Sequence, residues 1–279
     1  MSHWKHLIRF LDDNDRTYLA SLPVIRSSTE IVNSMVTGYA SLANLNEQRG
    51  GQPVVVKRLL PPVPVEGDII CIGINYRKHA EEADLTVPLD PVMWYKPKRA
   101  LGGPGDVLIP PAAANKFLDF EGELCIVLSR DARDVSMENA TDYILGYTAG
   151  NDLTARFYQD PKRCGGQFTR CKAFDGFAPL GPILTSAEAF GSLDNKSIVT
   201  RVNGKVFQNS PCDLIHGPDA IISFLSQGTT LPAGTVIMTG SPPGIGYFQN
   251  PKYSLKDNDT VEIEISSIGT LVNKMVFSP

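Results

Sequence analysis

The segment KFLDFEGELCIVL, residues 116–128, constrains this chain more than any other. It reads as a strand with an apolar second half, yet it carries Asp119, Glu121 and Glu123. Alternate side chains of a strand share a face, so the three acids project the same way, with Glu121 and Glu123 about 7 Å apart at Cα. An edge strand showing acids to water is the ordinary explanation. Here Phe120, Leu124 and Leu128 occupy the opposite face, and the apolar continuation points to burial on both sides. Buried like charges repel unless something positive sits between them, and a metal ion fits that need.

A fourth acid strengthens this reading. In YILGYTAGNDLTARFYQ, residues 143–159, an apolar strand ends on Asn151 and Asp152 before an expected helical turn that carries Arg156 and Gln159. Carboxylates without a competing Cys/His set select a hard cation, Mg²⁺, Mn²⁺ or Ca²⁺, over zinc. Three carboxylates leave about half of an octahedral shell open to water or substrate.

Other segments supply groups that chemistry at such a site would use. In GINYRKHAEEA, residues 73–83, a helix puts His79 and Glu82 on one face, where the acid orients the ring as a general base; a solvated helix face is the plain alternative. Lys172 lies in CKAFDGFAPLGP and Lys96 precedes a proline in MWYKPKRALGGPGD. Either could stabilise developing negative charge, although single lysines are common on surfaces. In VIMTGSPPGIG, residues 236–246, a strand runs into a turn whose Thr239 and Ser241 hydroxyls, or whose backbone N–H groups, could hold a carboxylate; a plain loop reads equally well.

The rest of the chain sets the frame. Residues 1–60 alternate short apolar pieces with polar turns, and the proline-dense PPVPVEGD follows, so a small N-terminal domain (1–62) and a larger second domain (63–279) are expected. Strands are expected at 68–73, 118–129, 143–150, 180–185, 198–203, 235–240 and 259–265, with helices at 76–83, 152–160 and 217–228. The result is a mixed α/β architecture, mainly β. A net charge of −4, with 26 basic and 30 acidic residues spread along the chain, offers no stripe for nucleic acid. No apolar run reaches the ~18 residues of a membrane span, and a cytoplasmic location is expected. The odd set of five cysteines without a CxxC pair reads as reduced thiols, with Cys71 and Cys125 as packing residues. The sequence lacks GxGxxG, GxxxxGK[ST] and HExxH, and T-G-S-P-P-G lacks the glycine that a nucleophile elbow needs before its serine.

Taken in order, GINYRKHAEEA, MWYKPKRALGGPGD, LDFEGELCIVL, GNDLTARFYQ, CKAFDGFAPLGP and TGSPPGIG resemble the fumarylacetoacetate hydrolase superfamily, over residues of about 66–279. The first 60 residues resemble only loosely the small N-terminal region of many members. The resemblance implies a β-sandwich roll, a homodimer, and Mg²⁺ or a similar ion on Glu121, Glu123 and Asp152, with Asp119 as a supporting acid. It also implies His79 and Glu82 as a water-activating pair, Lys172 as catalytic lysine, and Arg156 and Gln159 as substrate contacts. Ser241 stands where relatives commonly have threonine, which leaves the hydroxyl but frees its rotamer. The basic, glycine-rich DPKRCGGQFTR departs from the expected pattern at the substrate's far end.

The activity so implied is metal-dependent hydrolysis of a C–C bond in a β-diketo acid such as an acylpyruvate. Water activated by His79 and Glu82 would attack, while the metal and Lys172 hold the charge. Decarboxylation or keto–enol tautomerisation of an oxaloacetate-like acid uses the same chelate, and isomerisation is a third option. A non-catalytic small-acid binder would be marked by loss of a ligand, the base or the lysine, and none is lost.

Overall fold

A computed structural model of the chain describes residues 4–64 and 66–279. Residues 1–3 of the expected N-terminal domain, and Val65 in the proline-rich connector, lie outside the described residues. The longer strands, in chain order, are β1 (His6–Leu11), β2 (Thr17–Ser21), β3 (Ile69–Gly73), β4 (Val92–Lys96), β5 (Gly105–Ile109), β6 (Gly122–Leu128), β7 (Ile144–Asn151), β8 (Ala178–Ser186), β9 (Ser197–Val202), β10 (Lys205–Pro211), β11 (Val236–Met238), β12 (Thr260–Ile265) and β13 (Gly269–Phe277). The helices are short. Those that matter below are α1 (Arg77–Glu82) and α2 (Pro218–Ser226).

Two sheets carry the fold, which is mixed α/β and mainly β. The larger runs β2–β1–β8–β7–β6–β11–β3–β4 and is ten-stranded with two short side strands, Arg58–Leu60 on β1 and Leu101–Gly102 on β8. The second runs β10–β9–β12–β13–β5. Pairing is mostly antiparallel, with β3–β11, β5–β13 and the short Leu101–Gly102 on β8 parallel. The N-terminal residues share the large sheet, since His6 and Leu7 of β1 pair with Thr185 and Leu184 of β8.

β6 is buried along its whole length. Leu124, Ile126 and Leu128 pack with Ile198, Ile263 and Leu271 of the second sheet, while Cys125 and Val127 pack on the other face with Leu7, Leu184 and Val236. This is why an unbroken apolar run suits the strand. Gly122, between the two glutamates, lies where the sheets meet: a Cβ there would sit 2.2 Å from Thr200 Oγ1. Only a glycine fits that contact.

The structure departs from the expected elements in several places, and β4, β5 and β10 are strands that no expected span covers. The strand expected over 118–129 is broken into Leu118–Asp119, paired with Thr154–Ala155, and β6. At the break the Asn151 side chain takes the Glu121 N–H (3.1 Å), and Asp152 N–H donates to Glu121 O (2.8 Å). The helix expected over 152–160 is instead that strand pair followed by a 3₁₀ turn, Arg156–Gln159. The N-terminal region contributes sheet strands in its own right. The nine-residue β13 went unpredicted because Asn273, fully buried and bonded to the carbonyls of Gly103 and Gly105, interrupts its apolar alternation. Among the described residues no helix is long and apolar enough to cross a membrane, and all five cysteines are free.

Candidate metal centre and active site

Antiparallel register brings together acids that are far apart in sequence. Gly122 pairs with Asn151 and Glu123 with Gly150, so Glu121 and Glu123 at the entry to β6 meet Asp152 at the exit of β7. One carboxylate oxygen from each lies within 4.8 Å of the other two, and all three residues are buried. Asp119 takes another direction. Its two oxygens accept from Phe120 N (3.0 Å), Gly246 N (2.8 Å), Tyr247 N (3.1 Å) and Arg156 Nε (2.8 Å). Those four donors satisfy it away from the triad.

Three buried cations surround the acids. Lys172 Nζ contacts Asp152 Oδ2 (2.5 Å), Glu121 Oε2 (2.9 Å) and Thr154 Oγ1 (3.0 Å). Arg156 reaches Asp119, Glu121 (2.5 Å) and Gln159 (2.9 Å) through its three nitrogens. Lys96 lies 2.6 Å from Asp152 Oδ1, a charge contact without hydrogen-bond alignment, and donates to the carbonyls of Phe177 (2.7 Å), Lys172 (2.8 Å) and Leu153 (3.3 Å). Lys96, expected to contact substrate, stands behind Asp152 and is not among the residues that line the cavity, with three carbonyls taking its N–H groups and the Asp152 carboxylate beside it. Arg156 borders the cavity, but Asp119 and Glu121 already balance its charge.

Electrostatics identify the acid in excess. Burial raises carboxyl pKa values, but Lys172 and Arg156 outweigh it at Glu121 and hold that group well below the usual carboxylate range. Burial would likewise discharge Lys172, yet Asp152 and Glu121 keep its pKa above the usual lysine value. At Glu123 burial, then Asp152 and Glu121, all push the carboxyl up. Four carboxylates face three cations, and Glu123 is the one left without a counter-charge. A divalent cation supplies what the cluster lacks, and the all-oxygen donor set suits a hard ion.

The turn after β11 fastens these parts together. Gly240 N–H donates to Glu123 Oε2 (2.9 Å), and Gly244 N–H to the Glu82 carboxylate (3.0 and 3.2 Å). The turn's amides thus hold the protein's own carboxylates, where the sequence left them free for a ligand's. Ser241 Oγ accepts from Gln208 Nε2 (2.7 Å), and Thr239 Oγ1 donates to Leu124 O (2.8 Å), so neither hydroxyl stands free. Gly244 has φ +106°, and a Cβ there would lie 2.1 Å from Phe207 O.

On α1, His79 Nδ1 lies 3.2 Å from Glu82 Oε2, and the ring borders the same cavity as Glu121, Glu123 and Lys172. The cavity is about 860 Å³. Gln159 and Ser241 also line it, with aromatic walls from Trp94, Phe157 and Phe168. Ile74 and Phe117, at φ +53° and +51°, border it in a conformation that costs a bulky residue about 1–3 kcal/mol. Asn75, not singled out from sequence, ties the segment of Ile74 to the start of the turn through Thr239 O (2.8 Å) and to the segment before α2 through His216 O (3.1 Å). An asparagine at a strand end before a helix was its one visible signal.

Residues 68–276 match the fumarylacetoacetate (FAA) hydrolase C-terminal domain. The chain belongs to the fumarylacetoacetate hydrolase family. One relative, an Archaeoglobus fulgidus protein described as uncharacterized, is 45% identical over 225 residues, 80% of this chain and 84% of its own. A mitochondrial oxaloacetate tautomerase of Bos taurus is 34% identical over 251 residues, 88% of this chain and 79% of its own. Among solved structures, the fumarylacetoacetate hydrolase of the psychrophile Exiguobacterium antarcticum superposes with TM-score 0.82 at 30% identity, over 98% of this chain and 100% of the other. Membership of the family accounts for the whole two-sheet frame, since that superposition spans both sheets.

Proposed function

We propose that the protein is a divalent-metal-dependent keto–enol tautomerase of an oxaloacetate-like 2-keto acid. The observation that carries this reading is one cavity bordered by a buried carboxylate triad, a charged lysine and a carboxylate-oriented histidine. The similarity to an oxaloacetate tautomerase over most of both chains favours proton transfer over the C–C hydrolysis that the sequence put first.

Glu121, Glu123 and Asp152 would hold the ion, Mg²⁺ or a similar one. Bound there, it supplies Lewis-acid polarisation of the 2-keto group. Glu82, anchored on Gly244 N–H, accepts a hydrogen bond from His79 Nδ1–H and so leaves Nε2 as the nitrogen that exchanges a proton with substrate. His79 takes the proton from C3 of the keto acid and, as imidazolium, gives one to the 2-oxygen, so the enol forms with no net change in protons, and the reverse transfer restores the keto acid. Lys172, which borders the cavity while paired with Glu121 and Asp152, eases through space the negative charge that grows on the oxygen as that proton leaves. Asp119 and Arg156 fix Glu121, and Lys96 fixes Asp152.

C–C hydrolysis is the second reading, supported by the superposition on a fumarylacetoacetate hydrolase; in it His79 takes its proton from water. One set of assays separates the two. Loss of the enol absorbance of oxaloacetate, with deuterium entering C3 in D₂O, is expected to depend on Mg²⁺ and His79. Acylpyruvates in H₂¹⁸O would yield ¹⁸O-labelled carboxylic acid only under hydrolysis, and CO₂ release would mark decarboxylation. No Mg²⁺-dependent acceleration of enol decay would sink the tautomerase reading.

A further inference from the structure

The site's floor is balanced for one anion. Asp119, Glu121, Glu123 and Asp152 oppose Lys96, Arg156 and Lys172, so a divalent ion leaves a single positive charge, matched by one substrate carboxylate. An oxaloacetate-like acid brings two carboxylates. The second finds no free cation on the floor, because Arg156 and Lys172 are already paired.

Elsewhere on the cavity wall the situation is reversed. Lys116, just ahead of the broken strand, and Arg163, in the short helix Pro161–Cys164, both line the cavity. Both lie against one ring: Lys116 Nζ is 4.3 Å and the Arg163 guanidinium carbon 3.9 Å from the centroid of Phe157. Neither head group forms an ion pair among the described residues. Besides Glu121 and Glu123, the acid on this wall is Asp160, whose Oδ1 is occupied in capping the Lys162 N–H (3.0 Å). Two cations that line the same cavity as the triad, each against the Phe157 ring and neither in an ion pair among the described residues, offer the charge that a second carboxylate needs.

We infer that Lys116 and Arg163 are specificity-determining residues that bind the distal carboxylate of a dicarboxylic 2-keto acid. This rests on the 2-keto acid reading above and narrows it to dicarboxylates. It also gives a role to the basic DPKRCGGQFTR segment, whose arginine at 163 is one of the pair. Because Arg163 is exposed, the contact is salt-screened and modest, about tenfold for the pair.

The test compares oxaloacetate with 2-oxosuccinamate, its neutral-ended amide, in the parent and in the Lys116→Gln/Arg163→Gln double variant, with Mg²⁺. Binding of 2-oxoglutarate and 2-oxopentanoate is measured alongside by calorimetry. In the parent the dicarboxylate is expected to be favoured about tenfold in kcat/KM and in Kd, and the advantage to shrink between about 0.05 M and about 0.5 M NaCl. In the double variant both ratios should fall to about one, through KM, with Mg²⁺ affinity retained. A parent without the preference, or a variant that keeps it, overturns the subsite. A parent that binds the dicarboxylate preferentially but does not interconvert tautomers keeps the subsite and removes the tautomerase. A parent that binds neither acid removes both.

Discussion

Glu123→Gln separates the two roles of charge in the buried cluster. The Glu123 ligand oxygen lies within 4.8 Å of those of Asp152 and Glu121. At that separation two like unit charges cost about 3 kcal/mol at an effective dielectric of ~20. Lys96, Lys172 and Arg156 already offset Asp152 and Glu121, so the uncompensated part is smaller, about 1–2 kcal/mol. Glutamine keeps the shape, keeps an acceptor for Gly240 N–H, and turns two N–H donors toward the remaining acids. The metal-free variant is therefore expected to be more stable than the metal-free parent by about 1–2 kcal/mol, a few degrees in Tm for a chain of this length. Mg²⁺ should reverse the order. At about 100 times Kd it adds about 2.7 kcal/mol to the parent, and little to a variant that has lost one of three carboxylates. Scanning calorimetry at about pH 8, in EDTA and in Mg²⁺, reads both effects. A metal-free variant less stable than the parent, or one that gains as much from Mg²⁺, would refute the view that Glu123 is the acid without a counter-charge.

Other consequences can be measured directly. Lys96→Met should destabilise the protein by about 3–5 kcal/mol in denaturant titrations, because Asp152 loses a buried counter-ion and three carbonyls lose their donor; a change under 1 kcal/mol would show the lysine to be dispensable. His79→Gln should lower tautomerase kcat about 10²–10⁴-fold while leaving Mg²⁺ affinity unchanged, and a parallel loss of metal binding would contradict the separation of base and ligands. Gly244→Ala should cost at least about 2 kcal/mol, since the added carbon meets Phe207 O in a left-handed backbone conformation. With Glu123 raised above its ordinary 4.5 by burial and by Asp152 and Glu121, the stability it contributes is present below that value and lost as pH climbs through its folded-state pKa. Mg²⁺ needs the ionised form, so the Mg²⁺-induced rise in Tm should widen from about pH 6 to about pH 9, and a constant increment would count against the linkage.

The pairing of Glu121 with Glu123 was legible because two positions on one strand carry their own geometry, and Asp152 because it closes a neighbouring apolar strand. The family followed from six segments kept in order. What was not legible depends on contacts between distant segments. Nothing near Asp119 in sequence tells that Gly246, Tyr247 and Arg156 satisfy it, and nothing near Lys96 reveals the three carbonyls and the carboxylate that hold it. At the break after Asp119 the Glu121 N–H goes to the Asn151 side chain, thirty residues further along the chain from Glu121. The seat of β1 beside β8 rests on a pair of registers between residues 6–7 and 184–185, for which no local pattern exists.

The turn after β11 has a dynamic consequence. Its four amides, Gly240, Gly244, Gly246 and Tyr247, are hydrogen-bonded to Glu123, Glu82 and Asp119, residues that belong to the triad, the base pair and the arginine brace. None of these amides can open without releasing a carboxylate. They should therefore exchange with solvent deuterium as one cooperative unit, so that the floor of the site behaves as a single rigid mount while residues of the outer wall remain free to change with the shape of the substrate.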